Sequence, residues 1–152
     1  MVELNMLVEL LYCSVAVAPQ LTVLDLDEIL LSARRRNVAL GISGMLLYYR
    51  GQFVQILEGR KASVDNIYQN HISPDTRHTG LNKVLEKTIA HRSFSEWSMG
   101  FVSAKEIDSL MPLSISEIVR NMLTEEAKNQ PLSLGVNGFI SIYNQMRKSP
   151  YR

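Results

Sequence analysis

The dipeptide Arg50-Gly51 constrains this chain more than any other feature. It stands between two apolar-rich segments, residues 42–49 and 52–58, and leaves room only for a tight turn, so the two segments pair as a β-hairpin. Upstream, Val8, Leu10 and Tyr12 alternate with Glu9 and Leu11, which predicts a strand over residues 7–14 that Pro19 breaks off. Residues 22–36 read as a helix. Leu26, Ile29, Leu30 and Ala33 recur at helical spacing, with Asp25, Asp27 and Glu28 early and Arg34, Arg35 and Arg36 late, a charge order that complements the helix dipole. Downstream, Gly59 is expected to end the third strand. Val64, Ile67, Tyr68 and Ile72 form one stripe of a helix over 63–72 that Pro74 stops, and residues 81–90 and 97–103 read as two more strands.

The order is β-α-β-β-α-β with one extra strand, an α+β pattern of the ferredoxin-like kind. In that topology the first and third strands lie side by side at the centre, with both helices over one face. From residue 112 the pattern changes. Ser114 and Glu117 have capping-box spacing, Ile115, Ile118, Val119, Met122 and Leu123 make a helical stripe, Asn129-Gln130-Pro131 breaks it, and Val136, Phe139, Ile140 and Tyr143 make a second stripe. These features predict a C-terminal helical hairpin over 114–148, too small to stand alone, packed on the exposed face of the sheet. The expected organisation is one domain over 1–105 and a dependent helical extension over 106–152.

Composition excludes several classes of function. With a net charge of +1, the 152-residue chain has no bulk field to draw nucleic acid or an anionic membrane. No apolar run approaches the ~20 residues that span a bilayer, and the first residues lack a basic leader region. The single cysteine, Cys13, cannot form an internal disulfide, and the expected location is the cytoplasm. Cys13 with His71, His78 and His91 shows neither thiol-enzyme nor metal-site spacing. The run Arg50-Gly51-Gln52-Phe53-Val54-Gln55-Ile56 resembles the basic-glycine-aromatic signature of RNA-binding sheets, but it lacks aromatics at 52 and 56.

Pattern also offers a pocket. Tyr12 lies on the first strand with Val8 and Leu10, Gln55 on the third with Phe53 and Leu57, and Asn37 continues the stripe of residues 26, 30 and 33. A buried phenol and a buried amide each need a partner, because an unmet polar group costs roughly 1–3 kcal/mol. Two solutions stand open: the groups bond one another as part of a core, or they jointly hold a polar ligand between the helices.

Five segments, in order and spacing, resemble the BLUF domains, blue-light sensors that use FAD. They are Leu10-Leu11-Tyr12-Cys13-Ser14; Arg36-Asn37 leading to Gly41-Ile42-Ser43-Gly44-Met45-Leu46; Phe53-Val54-Gln55-Ile56-Leu57-Glu58-Gly59; Asp75-Thr76-Arg77-His78; and Phe94-Ser95-Glu96-Trp97-Ser98-Met99. The resemblance covers about residues 5 to 105, and the second-helix region is one residue longer than in some relatives. It implies a non-covalent flavin between the helices, usually FAD, with FMN or riboflavin as alternatives. Tyr12 is then the electron and proton donor, Gln55 the bridge from tyrosine to flavin, and Asn37 the hydrogen-bonding partner of the ring's polar edge. Ile29 and Ile72 would sandwich the ring, while Asp75, Arg77 and His78, with His71 nearby, would lie toward the ribityl and phosphate end. Trp97 and Met99 match the pair whose placement near the glutamine differs within the family. Arg36 departs from the asparagine or histidine often seen beside the conserved asparagine.

The resemblance further implies a photoreceptor without substrate turnover. After charge recombination its glutamine remains rotated or tautomerised and the absorption shifts slightly to the red. Because no catalytic segment is expected after residue 105, the signal would pass to a separate downstream protein, and a homo-oligomer is expected. The rival reading is a ferredoxin-like interaction module without a light function.

Overall fold

The computed structural model describes residues 2–18, 21–95, 97–103 and 114–148. Pro19, Glu96 and the expected boundary at 105–106 lie outside them. The element order is α1 (Val2–Asn5), β1 (Leu7–Ala16), α2 (Val23–Leu40), β2 (Ser43–Tyr49), β3 (Gln52–Arg60), α3 (Lys61–Ile67) continued by a π-helical turn (Tyr68–Ile72), β4 (His78–Thr88), β5 (Gly100–Ser103), α4 (Ile115–Met122), α5 (Glu125–Lys128) and α6 (Leu134–Lys148). The sheet order is β4-β1-β3-β2-β5, with β2 and β5 parallel and the other pairs antiparallel. The first and third strands are therefore neighbours at the centre, as the ferredoxin-like pattern requires.

The hairpin turn takes φ 46° at Arg50 and φ 84° at Gly51. Positive φ at both central residues matches the right-handed twist of the flanking strands, which is why a two-residue loop suffices. At the start of α2, Thr22 and Asp25 cap each other, Asp25 N to Thr22 Oγ1 at 3.1 Å and Thr22 N to Asp25 Oδ2 at 2.9 Å. The helix runs one turn beyond the expected end at residue 36. Gly41 at φ 67° supplies its left-handed cap and donates to Asn37 O and Val38 O. This extra turn frees the Asn37 side chain from capping and turns it inward.

Three other expectations are corrected. Gly59 does not end β3, because it pairs with Val8. Trp97 to Met99 precede the fifth strand, which starts at Gly100. The C-terminal hairpin is three helices, because Thr124 caps the separate short turn α5, its Oγ1 accepting from Ala127 N at 3.0 Å.

Two cores follow from the period-2 alternation of the strands. Val8, Leu10, Tyr12, Leu46, Phe53 and Leu57 face α2 and α3, where they meet Leu30, Ala33, Val64 and Ile67. Leu11, Met45, Leu47, Val54 and Ile56 face the other way, against Ile115, Val119, Val136, Phe139 and Tyr143. The C-terminal helices thus cover the second face of the sheet. Glu9, buried on that face, fixes α6, accepting from Ser133 Oγ at 2.7 Å and from Gly135 N at 2.9 Å. A carboxylate at a helix N-terminus meets both the unpaired N–H groups and the positive end of the dipole.

Candidate functional site

Tyr12 and Gln55 are directly opposed in the β1–β3 register. Both side chains project toward the helices, and the Tyr12 hydroxyl donates to Gln55 Oε1. Burial holds the Tyr12 phenol far above the ordinary tyrosine value, opposed by the nearby Arg36 guanidinium, so the group enters any chemistry with its proton on. The other end of the amide is also engaged, Gln55 Nε2 donating to Met99 Sδ at 3.2 Å. Gln55 is therefore clamped between an oxygen donor on β1 and a sulfur acceptor in the segment before β5.

That segment is tied to the end of α2. Asn37 Nδ2 donates to Ser98 O at 2.7 Å, and Arg34 Nε donates to Met99 O at 2.9 Å. Met99 is 1% exposed, whereas Trp97 is 40% exposed. Met99, not Trp97, occupies the place beside the glutamine.

Above this floor a cleft opens between α2 and the π-helical turn. It holds about 60 Å³ of interior space and is partly open to solvent at its mouth. The structure brings together Tyr12, Ile29, Gln55, His71, Ile72, Asp75, Arg77 and His78 as its lining. Asn37, Met99 and Trp97 are not among the lining residues. The π-helical turn is the local device that carries His71 and Ile72 to the cleft, and a turn of this kind absorbs one extra residue in a helix.

At the mouth, Arg77 Nη2 pairs with Asp75 Oδ2 at 2.6 Å, and the guanidinium holds the Asp75 carboxyl below its ordinary value. Both ring nitrogens of His78 are occupied: Nε2 donates to Ile72 O at 2.7 Å and Nδ1 lies 2.8 Å from Ser14 Oγ. His78 therefore shapes the cleft wall by tying the start of β4 to β1 and to the π-helical turn.

Sequence reasoning missed Ser14, Ala33, Leu46 and Phe53 as lining residues and left Arg36 without a role, yet Arg36 lines the cleft as well. The signal for four of them was face parity. Ser14 shares the parity of Tyr12, Phe53 that of Gln55, Leu46 is the β2 partner of Gln55, and Ala33 lies one turn from both Ile29 and Asn37.

Fold and cleft together define a ferredoxin-like α+β protein built around a small-molecule site between its helices. Residues 7–100 match the model of the BLUF family, "sensors of blue-light using FAD", and the chain belongs to that family. It is 36% identical over 123 residues to a photoactivated adenylate cyclase subunit beta of Euglena longa, an alignment covering 79% of this chain and 14% of that protein. Among solved structures it resembles BlrB, a BLUF protein in its dark state, with a TM-score of 0.68 and 31% identity, covering 94% of this chain and 98% of that one. It also resembles Klebsiella pneumoniae BlrP1 solved with FMN and cyclic diGMP, with a TM-score of 0.72 and 27% identity, covering 92% of this chain and 36% of that one.

The residues present fit a flavin. Asn37 Oδ1 and Arg36 Nε are buried without a hydrogen-bond partner among the described residues. Such orphaned groups beside a polar cleft are expected where a bound ring with its own donors and acceptors completes them. No described helix is long and apolar enough to cross a membrane, and no described cluster of His, Cys, Asp or Glu could hold a metal ion.

Proposed function

We propose that Tyr12, Gln55 and Met99 form a light-triggered relay that passes the state of the cleft to the C-terminal helices and through them to a separate signalling protein. In this reading Asn37 and Arg36 bind the polar edge of FAD, Ile29 and Ile72 flank its ring, and Arg77, Asp75, His71 and His78 surround its phosphate end. Bound there, the flavin supplies absorption of blue light and an excited ring able to oxidise a neighbouring phenol. A phenol that loses an electron becomes strongly acidic, so the Tyr12 proton would move along its existing hydrogen bond to Gln55 Oε1, and electron and proton would both return to Tyr12 on charge recombination. An amide has a donor at one end and an acceptor at the other, and Gln55 turned end for end would present Nε2 to Tyr12 and Oε1 to Met99 Sδ. Two acceptors then face each other and the Met99 contact is lost.

The observation that carries the proposal is the placement of Phe94 and Met99. Phe94 is fully buried in the core beneath the C-terminal helices, and Met99 is buried in the core beneath α2 and α3. These two residues, five apart in sequence, thus stand in different cores, and Gly44 N donates to Trp97 O at 3.0 Å. Ser93 and Phe94 are anchored by the buried Glu58 carboxylate, which accepts from Ser93 N at 2.9 Å, Phe94 N at 2.5 Å and Ser43 Oγ at 2.9 Å. Thr124 N, at the cap of α5, donates to Ser93 O at 2.8 Å. A displacement of Met99 thus has a packed route to α5 and α6.

The chain's role is sensory, with no substrate turned over by its own residues. Domain 1–105 receives the light, extension 106–152 transmits the state, and the free thiol Cys13 is in keeping with a reducing cytoplasm. The relatives named as cyclases suggest that the downstream protein carries or controls an effector of that kind. The chain spans 14% of the length of the Euglena longa subunit.

The test is the absorption spectrum of the purified protein before and after blue light. A flavin spectrum that shifts slightly to the red and recovers in the dark is expected, and Tyr12→Phe should abolish the shift while keeping the flavin. A yellow protein inert to light would overturn the relay, and a protein that takes up no FAD would overturn the assignment of the cleft.

A further inference from the structure

Helix α2 carries apolar residues on two faces. Leu30, Ala33 and Asn37 are buried against the sheet, and Ile29, Ala33 and Arg36 line the cleft. On the outer face Leu24 is 74% exposed, Leu31 52% and Val38 71%. These three are spaced by seven residues, which places them on one straight seam of a helix. The seam is flanked on one side by Asp27 and Arg34 and on the other by Glu28 and Arg35, all exposed. Asp27, Glu28 and Arg35 make no ion pair or hydrogen bond among the described residues, and Arg34 uses its Nε on Met99 O.

We infer that this seam is a self-association surface, on which α2 of a second copy of this chain packs antiparallel with Leu31 at the two-fold axis. An antiparallel pair centred on residue 31 sets Leu24 against the partner copy's residue 38, and Leu31 against its own counterpart. On each flank the acidic N-terminal half meets the arginine half of the other copy: Asp27 lies within one residue of the level of residue 34, and Glu28 within one residue of the level of residue 35. A parallel pair would instead stack acid on acid and arginine on arginine, which is destabilising. The charge pattern thus selects one orientation as well as an occupant, and a two-fold contact of this kind is self-complementary. One helix pair is a small interface compared with the ~1,200 Å² of stable complexes, so the dimer forms and dissociates with concentration. The inference does not depend on the photochemical reading, but the surface lies back to back with the cleft, and Arg34 links its flank to Met99.

The experiment is sedimentation of the full chain over a range of concentrations, with cross-linking in a Cys13→Ser background. A monomer–dimer equilibrium is expected. Leu31→Glu should shift it to monomer with the circular dichroism unchanged. Glu28→Arg and Arg35→Glu should each weaken the dimer by roughly threefold to tenfold, and the double variant should restore it. Under mild oxidation Leu31→Cys should cross-link to itself, while Leu24→Cys and Val38→Cys should cross-link only when mixed. A monomer at every concentration, a dimer indifferent to Leu31→Glu, or self-cross-linking of Leu24→Cys would each overturn the inference.

Discussion

Gln55 Nε2 donates to Met99 Sδ at 3.2 Å across 44 residues of sequence, while the other end of the same amide accepts from Tyr12. One side chain thus reports on the phenol and on the segment that leads out of the sheet.

Met99→Leu should uncouple the two. The swap conserves volume and costs less than about 1.5 kcal/mol of stability, but it removes the sulfur acceptor. Flavin should bind and the light-induced red shift should persist. Light-minus-dark differences in hydrogen exchange over residues 115–148 should shrink to background.

Arg36 is a cation whose Nε is buried at the cleft without a hydrogen-bond partner among the described residues. Burial pulls its pKa below the ordinary arginine value, and its charge in turn lowers that of Tyr12. Arg36→Ala should weaken FAD binding by tenfold or more, as the loss of a hydrogen bond from a charged donor, about 1.5–3 kcal/mol, implies. It should also slow formation of the light state, because the Tyr12 proton is then harder to remove. Arg36→Lys should recover the rate better than the affinity. Fluorescence titration and flash absorption read the two separately.

Gly135 lets α6 approach the sheet. A Cβ there would lie 2.5 Å from Glu9 Oε1 and 2.8 Å from Ile56 Cδ1. Alanine ordinarily favours a helix over glycine by up to about 1 kcal/mol. Gly135→Ala should nevertheless destabilise the protein, by about 1–3 kcal/mol from overpacking, and urea unfolding gives the sign directly.

Asp75 supplies the pH dependence of the cleft mouth. Its folded-state pKa lies below the ordinary value of 3.8 because Arg77 pairs with it. The stabilisation is therefore fully present above pH 3.8 and is lost as the pH falls through the folded value. Flavin retention should be flat from neutral pH down to that point and fall below it. Asp75→Asn should remove this acid step, and carboxyl NMR titration would locate it.

Much of the fold was legible because strands and helices bury one face each, and periodicity records which face. The hairpin at Arg50-Gly51, the stripe of α2 and the apolar third strand with its embedded Gln55 all carried that signal. Boundaries were less legible. The end of α2 moved from residue 36 to Leu40 because Gly41, not Asn37, takes the left-handed cap. Helix 63–72 became α then π, a change of hydrogen-bonding pattern that apolar spacing does not record.

By itself the sequence determined the order of elements, the strand faces that Tyr12 shares with Val8 and Leu10 and Gln55 with Phe53 and Leu57, and the family, because these depend on residue type and spacing along the chain. Only the tertiary structure decided that Met99 rather than Trp97 meets Gln55, that His78 spends both ring nitrogens on Ser14 and Ile72, and that Phe94 and Met99 sit in different cores. Those are contacts between segments far apart in sequence, and strand register and helix docking create them after local pattern has been exhausted.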